Sequence, residues 1–376
     1  MRRSNKHRSN LQMSKYNCKS SPLFKKIMNY KELIESSQRN ILTTVCSLDD
    51  INLFDSTTNN FYNNVIDRIF KGYYKNSRYN SLLYQKWSIS EVRCVHIVFT
   101  FFLGLYIYKQ SKTIQKSIDP KIESVLNNAG HPNDFQFLWF LICLYHDLGY
   151  SEENKGVKSK IGYSWTSTHK LGNPFGTPKL YESIYRNYFS YRKTEGKVTD
   201  HGIYAGLKMY EDLCKIRKEK NRGNPYPKFW KIELEVLYNF ASWVVLAHNI
   251  WYVKDTDRTN CDLYRKYHLE KLILKTDLHG LPQKYPILLA EHPVLFLFCL
   301  VDTIEPMKRI GCSTCCENID FEVDEECITI TSNLPRELNI NYTRQLLGTN
   351  DWLTTAEHVE IENKTRIWLK PKQNEE

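Results

Sequence analysis

The stretch PNDFQFLWFLICLYHDLG, residues 132–149, decides how the rest of the chain reads. Pro132 opens a helix that runs through Phe135, Leu138, Leu141, Ile142 and Tyr145, and Gly149 is expected to end it. The run is apolar up to the adjacent pair His146 and Asp147. Burying an imidazole or a carboxylate costs several kcal/mol unless the group is paired, hydrogen-bonded or bound to a metal. Neighbours on a helix point about 100° apart. Both side chains address one ion only where a helix ends, and Gly149 puts them at such an end.

Working outward, four further metal-capable residues lie in apolar, helix-patterned segments at similar intervals. His96 stands in a stripe with Val92, Val95, Phe99, Leu103 and Tyr106. His201 opens a helix through Ala205, Leu207 and Leu213. His248 lies in the run from Trp230 to Trp251, and Asp302 lies in the segment from Pro286 to Arg309. One buried histidine is most often a hydrogen-bonded core residue. Several on successive apolar helices predict ligands that converge inside a helical bundle. The fold class expected is therefore mainly α, with a small C-terminal α/β appendage.

The flanks fit this frame. Residues 1–28 form a basic tail expected to be a solvated arm; its first 26 residues hold eight Lys or Arg and no acid, most of the chain's net charge of +10. A nucleic-acid contact by the tail is weakly supported. The helical body is assigned to 29–310, including helical spacing from Tyr30 to Phe70. Charged loops are expected after Tyr108 and from Lys215 to Lys228. Within the body, 151–199 contains clustered Gly and Pro and reads as a loop insertion over a site. From 311 to 376 the pattern changes. Phe321–Ser332 is strand-like with a turn at Asp324–Glu326, Asn341–Trp352 has a helical pattern, and Thr365–Lys370 reads as a final strand.

Val95–Tyr108 is the best candidate for a membrane span, but it is shorter than the ~20 residues a span needs. With no secretion signal and Cys94, Cys143 and Cys299 inside apolar helices, the expectation is a cytoplasmic protein with reduced thiols. Cys312, Cys315 and Cys316, with Cys327 nearby, read as a loop and not as a zinc site.

In order, the segments Arg93-Cys-Val-His96, Leu144-Tyr-His146-Asp147-Leu-Gly149, Asp200-His201-Gly202, Leu246-Ala-His248-Asn249 and Leu300-Val-Asp302 follow an H…HD…H…H…D pattern. Over residues 88–309 the chain resembles the HD-domain superfamily of metal-dependent phosphohydrolases. The resemblance implies an HD-type helical bundle in which His96, His146, Asp147 and Asp302 share one metal. His201 and His248 would add a second ion, with Asp147 bridging. His146 and Asp147 would be catalytic, and divalent Mn, Fe, Co, Ni or Zn suits such nitrogen and oxygen donors. Asp200 is expected to orient a ligand histidine.

Arg93, His169, Lys170, Lys308 and Arg309 are candidate contacts to a small phosphorylated substrate, such as a nucleotide. Two features depart from branches of the superfamily: Tyr150 stands where some carry Lys, and Asn249 follows His248 where another has paired histidines. Two other readings belong to the same pattern. One is a di-iron oxygenase resembling myo-inositol oxygenase, and the other is a metal-stabilised sensor without turnover.

Overall fold

The computed structural model describes residues 91–126, 135–153, 180–222, 234–249, 287–310, 318–351 and 353–369, with short pieces at 262, 265–269, 275–276 and 282–283. The basic tail, the Tyr30–Phe70 helical reading, His169, Lys170 and the cysteines at 312, 315 and 316 lie outside the described residues.

The described chain is mainly helical. In chain order the helices are α1 (Glu91–Gln110), α2 (Lys112–Leu126), α3 (Phe135–Tyr145), α4 (Tyr150–Glu153), α5 (Leu180–Thr194), α6 (His201–Lys220), α7 (Leu234–Ala247), α8 (Pro293–Ile304), α9 (Pro306–Ile310) and α10 (Arg336–Leu347). A helix that is apolar all round must be buried on all sides. That is the case for α3, where every residue but Gln136 is buried, and for α8, where Asp302 alone is not fully buried. Helix α1 packs on α2, α3, α8 and α9, and α7 joins α3 to α6.

Trp139 of α3 fills the crossing with α1, donating its indole N–H to the Phe101 carbonyl at 2.9 Å. At the α6–α7 crossing, a Cβ on Gly206 would come within 2.6 Å of the Ser242 carbonyl oxygen. Only glycine lets these two backbones approach so closely.

Some boundaries differ from the sequence reading. The expected loop after Tyr108 contains α2. Its Ile114, Ile118 and Ile122 recur every four residues and are buried, a stripe thinly spread among charged residues. Helix α6 continues to Lys220, into the segment read as loop. The stretch 151–199 is not loop throughout: it contains α4 and α5, and α5 buries Tyr188 and Phe189. The clustered glycines lie upstream of α5, at 156–176.

The appendage is a four-stranded antiparallel sheet, β3 (Ile319–Val323), β4 (Cys327–Ser332), β5 (Thr355–Val359) and β6 (Lys364–Trp368), in the order β3-β4-β6-β5. A two-residue pair, β1 (Lys275–Thr276) and β2 (Pro282–Gln283), precedes it. The segment Phe321–Ser332 is a hairpin, with Phe321 opposite Ile330 and a turn held by Asp324. Strand β5 was not foreseen: it is an edge strand, TAEHV, with a single buried residue.

Helix α10 starts at Arg336 and ends at Leu347, earlier than the spacing predicts. The sheet shares its core with the bundle, since Phe321, Ile330 and Ile367 belong to the same buried cluster as the helices. Tyr342 Oη donates to the Ile304 carbonyl at 2.6 Å, holding α10 against the end of α8. Among the described residues no helix is long and apolar enough to cross a membrane. The described thiols Cys143, Cys214, Cys299 and Cys327 are free and buried.

Candidate metal centre

The buried imidazole of His96 comes from the second turn of α1, His146 from the turn that follows α3, and Asp302 from the last turn of α8. His96 Nε2 lies 3.1 Å from His146 Nε2 and 2.8 Å from Asp302 Oδ1. His146 Nε2 is 3.7 Å from the same Asp302 oxygen. These three side chains offer donor atoms that all lie within 4.8 Å of one another, a group able to hold a metal ion. Asp147 adjoins it, with Oδ1 at 3.3 Å from His146 Nε2.

The other ring nitrogens fix what these atoms can do. His146 Nδ1 lies 2.8 Å from the Cys143 carbonyl, so the proton sits on Nδ1 and the lone pair on Nε2. His248 repeats this with the Val245 carbonyl at 2.6 Å. His96 Nδ1 meets Glu305 Oε2 at 2.6 Å, and His201 Nδ1 meets Glu153 Oε2 at 2.6 Å. All four imidazoles are thus held by an acceptor on Nδ1. This arrangement orients a metal-binding histidine and raises its basicity.

Burial lowers the His146 pKa to about 3 and that of His248 to about 4, so both are neutral at pH 7. Burial and Lys308 also disfavour a charged His96, but Glu305 and Asp302 outweigh them and raise its pKa. A proton on His96 Nε2 would satisfy the short contact to Asp302. No such proton serves the next contact. His146 Nε2 and Asp147 Oδ1 are both acceptors, both are fully buried, and Asp147 Oδ1 has no hydrogen-bond partner. A buried acceptor facing another acceptor is costly. A cation beside His96, His146 and Asp302, the group able to hold one, would relieve that conflict.

Cations surround the centre. Arg93 Nη1 lies 3.0 Å from Asp147 Oδ2, and Lys308 Nζ lies 3.0 and 3.2 Å from the two Asp302 oxygens. Burial opposes the charge on Asp147 and Asp302, yet the neighbouring cations and imidazoles hold both carboxyls below their usual range. Arg309 reaches the Asp302 carbonyl at 3.4 Å and has no carboxylate partner among the described residues. All three cations line a cavity of about 360 Å³, together with Tyr150, Glu153, Arg192, His201, His248 and Asp302.

His201 and His248 stand beside the cluster. Their ring centroids are 5.3 Å apart, and His248 is 5.7 Å from His146. No carboxylate brings them into a tight ligand group among the described residues. Asp200 does not orient either ring. Its Oδ1 caps α6 at the Ile203 N–H, and its Oδ2 accepts from Asn249, so it fixes the turn after α7.

Gly149 does not end α3, which stops at Tyr145, and its backbone is not left-handed. Its role is close approach, because a Cβ there would lie 2.0 Å from the His201 carbonyl oxygen. That contact seats the His146–Asp147 turn on the start of α6.

Sequence reading missed Glu153, Glu305, Tyr150 and Arg192 as parts of the site. Glu305 is fully buried against His96, yet its only sequence signal is an acid at the end of an apolar helix. Glu153 lies next to Glu152 and reads as solvated charge. The Tyr150 ring is stacked on His201 at 3.8 Å, with the Arg93 guanidinium 3.1 Å from its centroid.

Comparison of the chain with protein-family models, with curated proteins and with solved structures returns no match.

Proposed function

We propose that this chain is a metal-dependent phosphohydrolase of the HD type, acting on a small phosphate ester. The observation that carries the reading is the facing pair His146 Nε2 and Asp147 Oδ1, buried without a proton between them and ringed by Arg93, Lys308 and Arg309. An ion held by His96, His146, Asp147 and Asp302 would acidify a water and draw charge from a phosphoryl oxygen.

The chain's own groups do the rest. Arg93, Lys308 and Arg309 bind the phosphoryl oxygens. Glu305 holds the proton on His96 Nδ1, and the Cys143 carbonyl holds that on His146 Nδ1. His248 presents a neutral Nε2 acceptor to the substrate, and His201 lines the same cavity beside it. The cationic lining favours a phosphate ester over the substrate of an oxygenase.

This reading takes one ion and not two. The second Asp147 oxygen, needed to bridge to another ion, is occupied by Arg93 at 3.0 Å. Glu153 is likewise engaged by both His201 and Arg192, each at 2.6 Å. Metal analysis of purified protein, followed by a phosphoester panel with Mn, Co, Ni and Fe, tests the reading. About one ion per chain and metal-dependent phosphate release are expected. A protein that binds no divalent ion at pH 7 would sink it.

A further inference from the structure

His248 lines the cavity from the turn after α7, and its ring is fixed in place. Nδ1 donates to the Val245 carbonyl at 2.6 Å. A Cβ on Gly202 would lie 3.0 Å from its Cε1 and 3.1 Å from its Nδ1, so α6 closes over that edge. The rings of His146, His201 and Phe298 meet it edge-on, with centroids at 5.7, 5.3 and 5.4 Å.

With the proton on Nδ1, the neutral ring has a lone pair on Nε2 and can only accept there. That atom is buried and has no hydrogen-bond partner among the described residues. The donors around it are already used. Thr303 Oγ1 donates to the Cys299 carbonyl at 2.7 Å, and Cys299 Sγ reaches the His248 carbonyl at 3.7 Å. Asn249, next in the chain, also lines the cavity and gives its side-chain N–H to Asp200 at 2.9 Å, which leaves its Oδ1 as a second acceptor. A buried acceptor without a donor is costly, and here the missing donor has to come from the cavity.

We infer that His248 Nε2 receives a hydroxyl of the substrate, so that the phosphorylated compound bound here carries a free O–H, as a sugar or polyol phosphate does. The inference rests on the phosphohydrolase reading and names a group its substrate must carry. An ammonium donor fits less well, because the acids that line the cavity are engaged. Glu153 is held by His201 and Arg192, and Asp302 by His96 and Lys308. A second ion is the other way to satisfy Nε2, but the donor group able to hold an ion is His96, His146 and Asp302, without His248.

The test uses phosphonates, whose P–C bond resists hydrolysis, so that binding is read without turnover. Terminal hydroxyalkylphosphonates of two to four carbons are titrated calorimetrically into full-length, metal-loaded protein. Beside them are run the alkylphosphonates with methyl in place of hydroxyl and the aminoalkylphosphonates of equal length. One hydroxyl compound should bind about tenfold or more tightly than its methyl counterpart, and more tightly than its ammonium counterpart. His248→Phe should erase that preference at unchanged metal content, and His248→Gln, which keeps an acceptor, should retain most of it.

Equal or tighter binding of the methyl or ammonium compounds by the parent would overturn the inference, and this comparison needs no variant. A preference that survives in His248→Phe, or loss of metal in that variant, would also overturn it. Phosphate release from simple esters, measured on the same protein, would leave the phosphohydrolase reading standing in each case. Absence of both metal binding and phosphate release would remove both.

Discussion

Replacing Gly149 by alanine probes the contact that joins the two halves of the site. The added methyl would sit 2.0 Å from the His201 carbonyl oxygen and 2.6 Å from its carbonyl carbon and Cα. These are backbone atoms at the start of α6, so no side chain can swing aside. Reaching ordinary contact requires the His146–Asp147 turn and α6 to part by more than about 1 Å, and overpacking of this kind costs about 3 kcal/mol. For a folded body of this size that corresponds to a fall in Tm of about 6–12 °C.

The functional consequence is uneven. His96, His146 and Asp302 come from α1, the end of α3 and α8, so the ion should still bind. His201 moves away from the centre, and a displacement near 1 Å costs up to about a hundredfold in turnover. The assay pairs a thermal melt with metal content and phosphate release. A variant that melts within about 2 °C of the parent and turns over normally would show that the turn and α6 are not in contact.

His146→Ala should abolish metal binding, whereas His201→Ala and His248→Ala should keep about one ion per chain and lose activity, read by metal analysis beside phosphate release; loss of metal in the latter two would revive a second ion. Burial, then Lys121, lowers the His292 pKa to about 4, so this ring is neutral in the native state at pH 7. Its contribution to stability is complete above the unfolded value of 6.5 and is lost as pH falls toward 4, amounting to roughly 3 kcal/mol. Denaturant unfolding at pH 7 and 4.5 should therefore show a smaller acid loss in His292→Gln than in the parent. Burial, with Asp302 adding, pushes the Cys143 and Cys299 thiols well above the usual range, so both should resist iodoacetamide in native protein at pH 8 and react after unfolding, as peptide mapping would show.

The sequence by itself determined the helical class and the approximate places of His96, His146 and Asp302. Period-3.6 apolar runs leave a polar group inside a helix conspicuous, because burial without a partner is so costly. It also determined the β3–β4 hairpin, where β-branched residues flank an acidic turn.

Tertiary structure decided which polar groups meet. Asp302 and His96 are 206 positions apart, and neither names the other. Glu305 and Glu153 look like surface acids until folding places them on imidazole Nδ1 atoms. Only the fold shows that Arg93 pairs with Asp147, or that Asp200 caps α6 and not a ring. Gly149 was legible as special, but for the wrong reason. Its requirement is set by the backbone of α6, more than fifty residues away in the chain, and local sequence carries no record of such an approach.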